Sequence, residues 1–123
     1  GAVRYALSQA PSASMICHCR TCRAVSGAPV LAWISTTSEH FAFIKGEPKR
    51  YASSPNVERQ FCSQCGTQLT YSGPNYGAAI DITTASLDNP NAFPPTHHSW
   101  LSHDLTWLKF GDNLPTFPES RTE

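Results

Sequence analysis

The stretch CHCRTC places Cys17, Cys19 and Cys22 within six residues, and FCSQCGTQL adds Cys62 and Cys65 further on. Thiolate sulfur suits zinc, and zinc–sulfur bonds are about 2.3 Å long, so ligands this close in sequence need only a turn to converge on one ion. The second cluster has the form of a knuckle: its turn offers backbone N–H groups to the sulfurs, and Gly66 takes a positive φ at no Cβ cost. Buried thiols acting as small hydrophobes are common one at a time. Three among polar neighbours read instead as a metal site. Five sulfurs divide in two ways. Either four close one structural site and leave a spare, or Cys17, Cys19 and Cys22 hold one zinc with an open position while Cys62 and Cys65 supply half of a second, closed site. Four protein ligands make a structural centre, and three plus an exchangeable one make a catalytic centre. Spacing leaves both open.

The elements that must position these sulfurs are short strands. PVLAWIST (29–36) alternates Val30, Ala32 and Ile34 with Leu31 and Trp33, the period of a half-buried strand. HFAFIKG (40–46), VERQF (57–61), QLTYS (68–72) and AAIDITT (78–84) continue the pattern, with SGPNYG as a hairpin-like turn between the last two. Ten prolines interrupt nearly every window long enough for a helix. One short helical turn is expected after Cys22, ended by Gly27. The segment NPNAFPPTHHSW reads as extended and packed across the surface. The class is all-β, with loops organised around cysteines.

Composition narrows the function. At 123 residues the chain reads as one domain over 1–123, long enough for a core of its own. Nine basic and nine acidic side chains cancel, which leaves no electrostatic footprint for nucleic acid or anionic membrane. No apolar run approaches the ~20 residues of a membrane span, and no leader-like segment opens the sequence. An odd count of five cysteines argues against a secreted disulfide framework. A cytoplasmic protein with free thiols is expected.

Several segments together resemble one known family. GAVRY at the start, CHCRTCRAVSGAPVLAW (17–33), GEPKRYASS (46–54), RQFCSQCGTQLTY (59–71), TTASLDNP (83–90) and WLKFGDNLPTF (107–117) occur in that order. The sequence resembles the glutathione-dependent formaldehyde-activating enzymes, whose domain is shared with centromere protein V. The resemblance implies several coiled antiparallel β-sheets organised around zinc (an Mss-like fold). It implies that Cys17, Cys19 and Cys22 are the catalytic zinc ligands and that Cys62 and Cys65 belong to a structural site. The family completes that second site with a Cys-x-Cys just ahead of the GAVRY-like segment. The sequence shows no Cys-x-Cys ahead of GAVRY, so the pair lies upstream or is absent, or else Cys62 and Cys65 join the first cluster around one metal. The implied activity is that of a carbon–sulfur lyase joining glutathione to formaldehyde or another small aldehyde. The alternative is a non-catalytic zinc-stabilised module that binds a protein partner.

Other side chains are read around that centre. Arg20 and Arg23 flank the ligands, either as solvated charges or as partners for glutathione's carboxylates. His18, between two ligands, is expected to point away from them. Arg59 is expected to pair with a carboxylate such as Asp81. His97, His98 and His103 are read as surface or packing residues, and Trp33, Trp100 and Trp107 as core or groove-lining residues, with core the default.

Overall fold

The computed structural model describes residues 1–121. Its strands are β1 (Arg4–Leu7), β2 (Ala13–Cys17), β3 (Leu31–Thr37), β4 (Phe41–Lys45), β5 (Lys49–Ser54), β6 (Val57–Phe61), β7 (Gln68–Ser72), β8 (Ala79–Thr83) and β9 (His98–Ser99), with one α-helix, α1 (Arg20–Ser26). β1 and β4 form a small antiparallel sheet, and the other strands form a seven-stranded sheet in the order β5-β6-β7-β8-β3-β2-β9. Neighbours in the large sheet run antiparallel except β2 and β9, which are parallel. The mostly-β class expected from alternation is the one observed. Among the described residues no helix is long and apolar enough to cross a membrane.

Side chains alternate across a strand, so directly paired residues share a face. One row runs Ser14–Ile34–Ile82–Thr70–Gln60 across β2, β3, β8, β7 and β6. All five are buried, and Ile34 and Ile82 are fully so. Each such aliphatic side chain stabilises the fold by about 1.5–3 kcal/mol relative to exposure. The polar members pair off: Thr70 Oγ1 donates to Gln60 Oε1 at 2.7 Å and Ser14 Oγ to the Phe93 carbonyl at 2.9 Å. The chain after β8 therefore closes over this face. Tyr5 of the small sheet reaches it as well, its hydroxyl 2.6 Å from Ser86 Oγ.

The opposite face carries the adjacent row, Ala13–Ser35–Asp81–Tyr71–Arg59. Here an expected contact fails to form. β7 lies between β6 and β8, so Tyr71 separates Arg59 from Asp81. Asp81 instead accepts a hydrogen bond from Ser35 Oγ at 2.6 Å. Two further expectations are corrected. Trp107 is 66% exposed rather than in the core. The proline-rich segment dives inward at its end, where His97, His98 and Ser99 are buried and β9 pairs with β2.

Candidate metal-thiolate site

Cys17 ends β2, where Leu31 of β3 and Ser99 of β9 flank it in register. The chain then turns at Cys19, whose extended backbone (φ −67°, ψ 157°) makes it the N-cap of α1. Its sulfur accepts the Cys22 backbone N–H at 3.3 Å, the contact an N-cap side chain normally makes through oxygen. One turn of α1 brings Cys22 back toward the strand end. Gly27, at φ 67°, stops the helix in the left-handed conformation as expected, with its N–H on the Arg23 carbonyl. Strand end, cap and first helical turn thus place three sulfurs within 4.8 Å of one another.

That trio fits zinc. A tetrahedral ion with bonds of about 2.3 Å sets its sulfurs about 3.8 Å apart, and small χ adjustments bring this set to that spacing. The thiols also contact one another. Cys22 Sγ lies 3.1 Å from Cys17 Sγ. Hydrogen bonds from Cys17 and then Cys22 hold the Cys19 thiol well below the usual range, helped by Thr21 Oγ1 at 3.3 Å. Cys17 is pushed up to about 11, chiefly by its contact with Cys19. Cys22 is pushed up further, first by its contact with Cys17. Three sulfur donors converging at this spacing form a cation site by the chemistry of their donor atoms. The Trp33 indole N–H adds a contact at 3.4 Å to Cys22 Sγ.

Two devices hold the ligand loop from behind. The Arg23 guanidinium donates to the backbone carbonyls of His18, at 2.8 Å, and of His103. Arg23 is therefore a clamp rather than a solvated charge or a carboxylate partner. The His18 ring turns away from the sulfurs, as expected, with Nε2 2.9 Å from His98 Nδ1; His98 Nε2 is 2.9 Å from Asp112 Oδ2. A carboxylate only accepts, so His98 donates through Nε2 and, when neutral, accepts from the His18 Nε2–H. Phe110 packs on both rings, with centroids 4.6 Å from His98 and 5.5 Å from His18. Sequence reading did not connect His98 or Asp112 with the site, because the two lie some 80 and 94 positions beyond His18.

The trio opens on a cleft of about 720 Å³ along the sheet face, whose walls include Met15, Trp33, Tyr71, Arg59, Asp81 and Trp100. Arg20 is at its mouth, exposed. Trp33, Tyr71 and Tyr76 stack edge to face in sequence, with centroids 6.1 Å and then 5.3 Å apart. This size and lining suit a small organic ligand.

Comparison with known proteins agrees with that geometry. The model of the glutathione-dependent formaldehyde-activating enzyme family matches residues 1–103. The chain belongs to that family. An uncharacterized lyase of Schizosaccharomyces pombe is 39% identical over 59 residues, which is 48% of this chain and 42% of that protein. The chain therefore aligns with less than half the length of this curated relative. In fold it is similar to a structural-genomics crystal structure of a Rhodobacter sphaeroides protein, with a TM-score of 0.60 over 74% of this chain and 86% of that one, at 18% identity.

The other cysteine pair of this family member lies elsewhere. Cys62 ends up buried and Cys65 exposed after β6, in a turn closed by Gly66 N–H on the Cys62 carbonyl (2.7 Å) and Cys62 N–H on the Thr67 carbonyl (3.0 Å). Gly66 takes φ 77°, as the knuckle reading expects. Cys65 Sγ is 3.1 Å from Thr67 Oγ1, whose hydrogen bond lowers the thiol. Both cysteines line a separate cavity of about 630 Å³, walled by Gly1, Ala2 and Val3 among others. The possibility that all five sulfurs meet around one metal is thereby excluded. Among the described residues, Cys17, Cys19 and Cys22 form the one ligand group of three or more.

Proposed function

We propose that this chain is a cytoplasmic zinc-dependent carbon–sulfur lyase that joins glutathione, or a similar thiol, to formaldehyde or another small aldehyde, and runs the same step in reverse. The observation that carries the reading is a trio of converging sulfurs, Cys17, Cys19 and Cys22, set on the wall of an open cleft. Family membership supports the substrates.

In the forward direction the thiol gives up its proton, a sulfur lone pair forms the C–S bond to the carbonyl carbon, and the C=O π pair moves to oxygen, which takes a proton. Zinc bound at the trio supplies a positive centre that favours the thiolate form of an incoming thiol. Cys17, Cys19 and Cys22 hold that centre from one side. The Trp33 N–H draws charge from the Cys22 sulfur, and the Arg23 clamp with the His18–His98–Asp112 chain keeps the ligand loop fixed. The aromatic wall from Trp33 to Tyr76 orients the substrate and excludes water, so positioning makes up most of the protein's share. Cys62 and Cys65 would supply half of a second, structural zinc site where a Cys-x-Cys pair completes it.

Zinc-edge X-ray absorption on the purified protein tests this. The trio's zinc should show three sulfurs and one light atom, with the light atom replaced by sulfur when glutathione is added. Exchange spectroscopy should show ¹³C-formaldehyde interconverting with its thiol adduct faster than in buffer. A trio zinc with four sulfurs indifferent to glutathione would instead mark a non-catalytic binding module.

A further inference from the structure

Two side chains that line the cleft carry a buried nitrogen without a hydrogen-bond partner, His103 at Nδ1 and Arg59 at Nη1, and of these the guanidinium is the permanently charged one. Arg59 is 3% exposed. Its Cζ sits 4.8 Å above the Tyr71 ring, its Nε donates to Ser53 Oγ at 3.2 Å, and its Nη1 is buried with no hydrogen-bond partner. Among the described residues no carboxylate pairs with it. Asp81, in the same cross-strand row, is two strands away, or about 10 Å, and is engaged by Ser35. A desolvated guanidinium without an anion is unfavourable, and a fold keeps one when an anion arrives from elsewhere. Arg59 lines the cleft that the three sulfurs share.

We infer that Arg59 is the anchor for a substrate carboxylate, which makes the substrate of this cleft an acidic thiol rather than any small thiol. The inference rests on reading the cleft as a thiol site. The guanidinium fork matches a carboxylate with two parallel hydrogen bonds. Contacts of 3.4, 6.1 and 4.8 Å lead from Cys22 through Trp33 and Tyr71 to Arg59. Arg20 and Arg121 also border the cleft but are exposed, so solvent and salt weaken their pull on an anion. Arg59, buried on the aromatic wall, discriminates.

Calorimetric titration of the zinc-loaded protein with glutathione and with glutathione diethyl ester tests the anchor, because the two share a thiol and differ in their free carboxylates. The wild type should bind the acid at least tenfold more tightly than the ester. Arg59→Gln should lower acid affinity to the ester's level, and Arg59→Lys should restore part of the difference. Equal affinity for acid and ester in the wild type overturns the inference even if Arg59→Gln fails to fold, and so does a preference that survives Arg59→Gln. Zinc-edge spectra of the same samples separate this from the function proposed above. Sulfur ligation without acid preference removes the anchor and leaves the thiol site. An Arg59-dependent acid preference without sulfur ligation keeps the anchor and removes the thiol site.

Discussion

The two cysteine clusters look alike on paper and are built differently. Cys17, Cys19 and Cys22 come from a strand end, a helix cap and the first helical turn, and their sulfurs lie within 4.8 Å. They are braced from behind by Arg23 and by the His18–His98–Asp112 chain, and an aromatic cleft lies in front of them. Cys62 and Cys65 come from one tight turn, with one sulfur buried and the other exposed. The cavity that they line is walled by Arg4, Tyr5 and Phe93 among others. Convergence backed by rigid supports and faced by open space suits chemistry at an exchangeable position. A turn at the margin suits cross-linking of the chain.

The largest test of that contrast is a pair of substitutions. Cys19→Ser should remove zinc from the trio and lower kcat/KM by at least about 100-fold, as expected when a metal ligand is lost. Cys65→Ser should lower Tm while leaving kcat within about twofold in protein that remains folded. A Cys65→Ser protein that is folded but inactive would erase the distinction. Next in size is the brace. Asp112→Ala should weaken zinc binding at the trio by about 10-fold, within the range for ligand-supporting residues, and Asp112→Asn, which still accepts from His98 Nε2–H, by less. Competition with a chromophoric chelator measures both. Smaller again is Gly66→Ala, which forces a non-glycine residue to φ 77°. The strain of about 1 kcal/mol should lower Tm by about 4 °C with activity unaltered.

The smallest effect concerns pH. Burial raises the Asp81 carboxyl above its ordinary value, opposed by the Ser35 hydrogen bond. The folded protein therefore holds this proton more tightly than the unfolded chain, and the group's contribution to stability is complete below pH 3.8 and declines as pH rises through the folded pKa. Asp81→Asn should accordingly raise Tm at pH 7 to 8, and the gain should disappear below about pH 3.8. A gain of equal size at both extremes would show that desolvation is not its cause.

Much of the fold was legible because it is local. Alternation places strands at 31–37, 41–45, 57–61, 68–72 and 79–83, within a residue or two of expectation. Gly27 and Gly66 take the backbone conformations that their places after Cys22 and Cys65 suggest. β5 escaped because all six of its residues are exposed, so KRYASS carries no apolar period to read. β2 escaped because ASMIC mixes polar and apolar residues on a strand covered from both sides. The trio was legible from spacing, whereas its supports were not. Which strand neighbours which decides that Tyr71 separates Arg59 from Asp81, and only the closed fold brings Asp112 to His98. Polar composition also misleads at 97–99, where three buried polar residues hydrogen-bond to β2, to His18 and to the chain at 112–117.

The parallel pairing of β9 with β2 imposes a timetable during synthesis. Cys17 leaves the ribosome 81 residues ahead of His98, a delay of about 4–16 s at 5–20 residues per second. Throughout that interval one margin of β2 has bare N–H and C=O groups next to three nucleophilic sulfurs, an invitation to pair with another nascent chain. Early capture of an ion would tie up the thiols but leave the backbone uncovered, so the later arrival of β9 is what shields it.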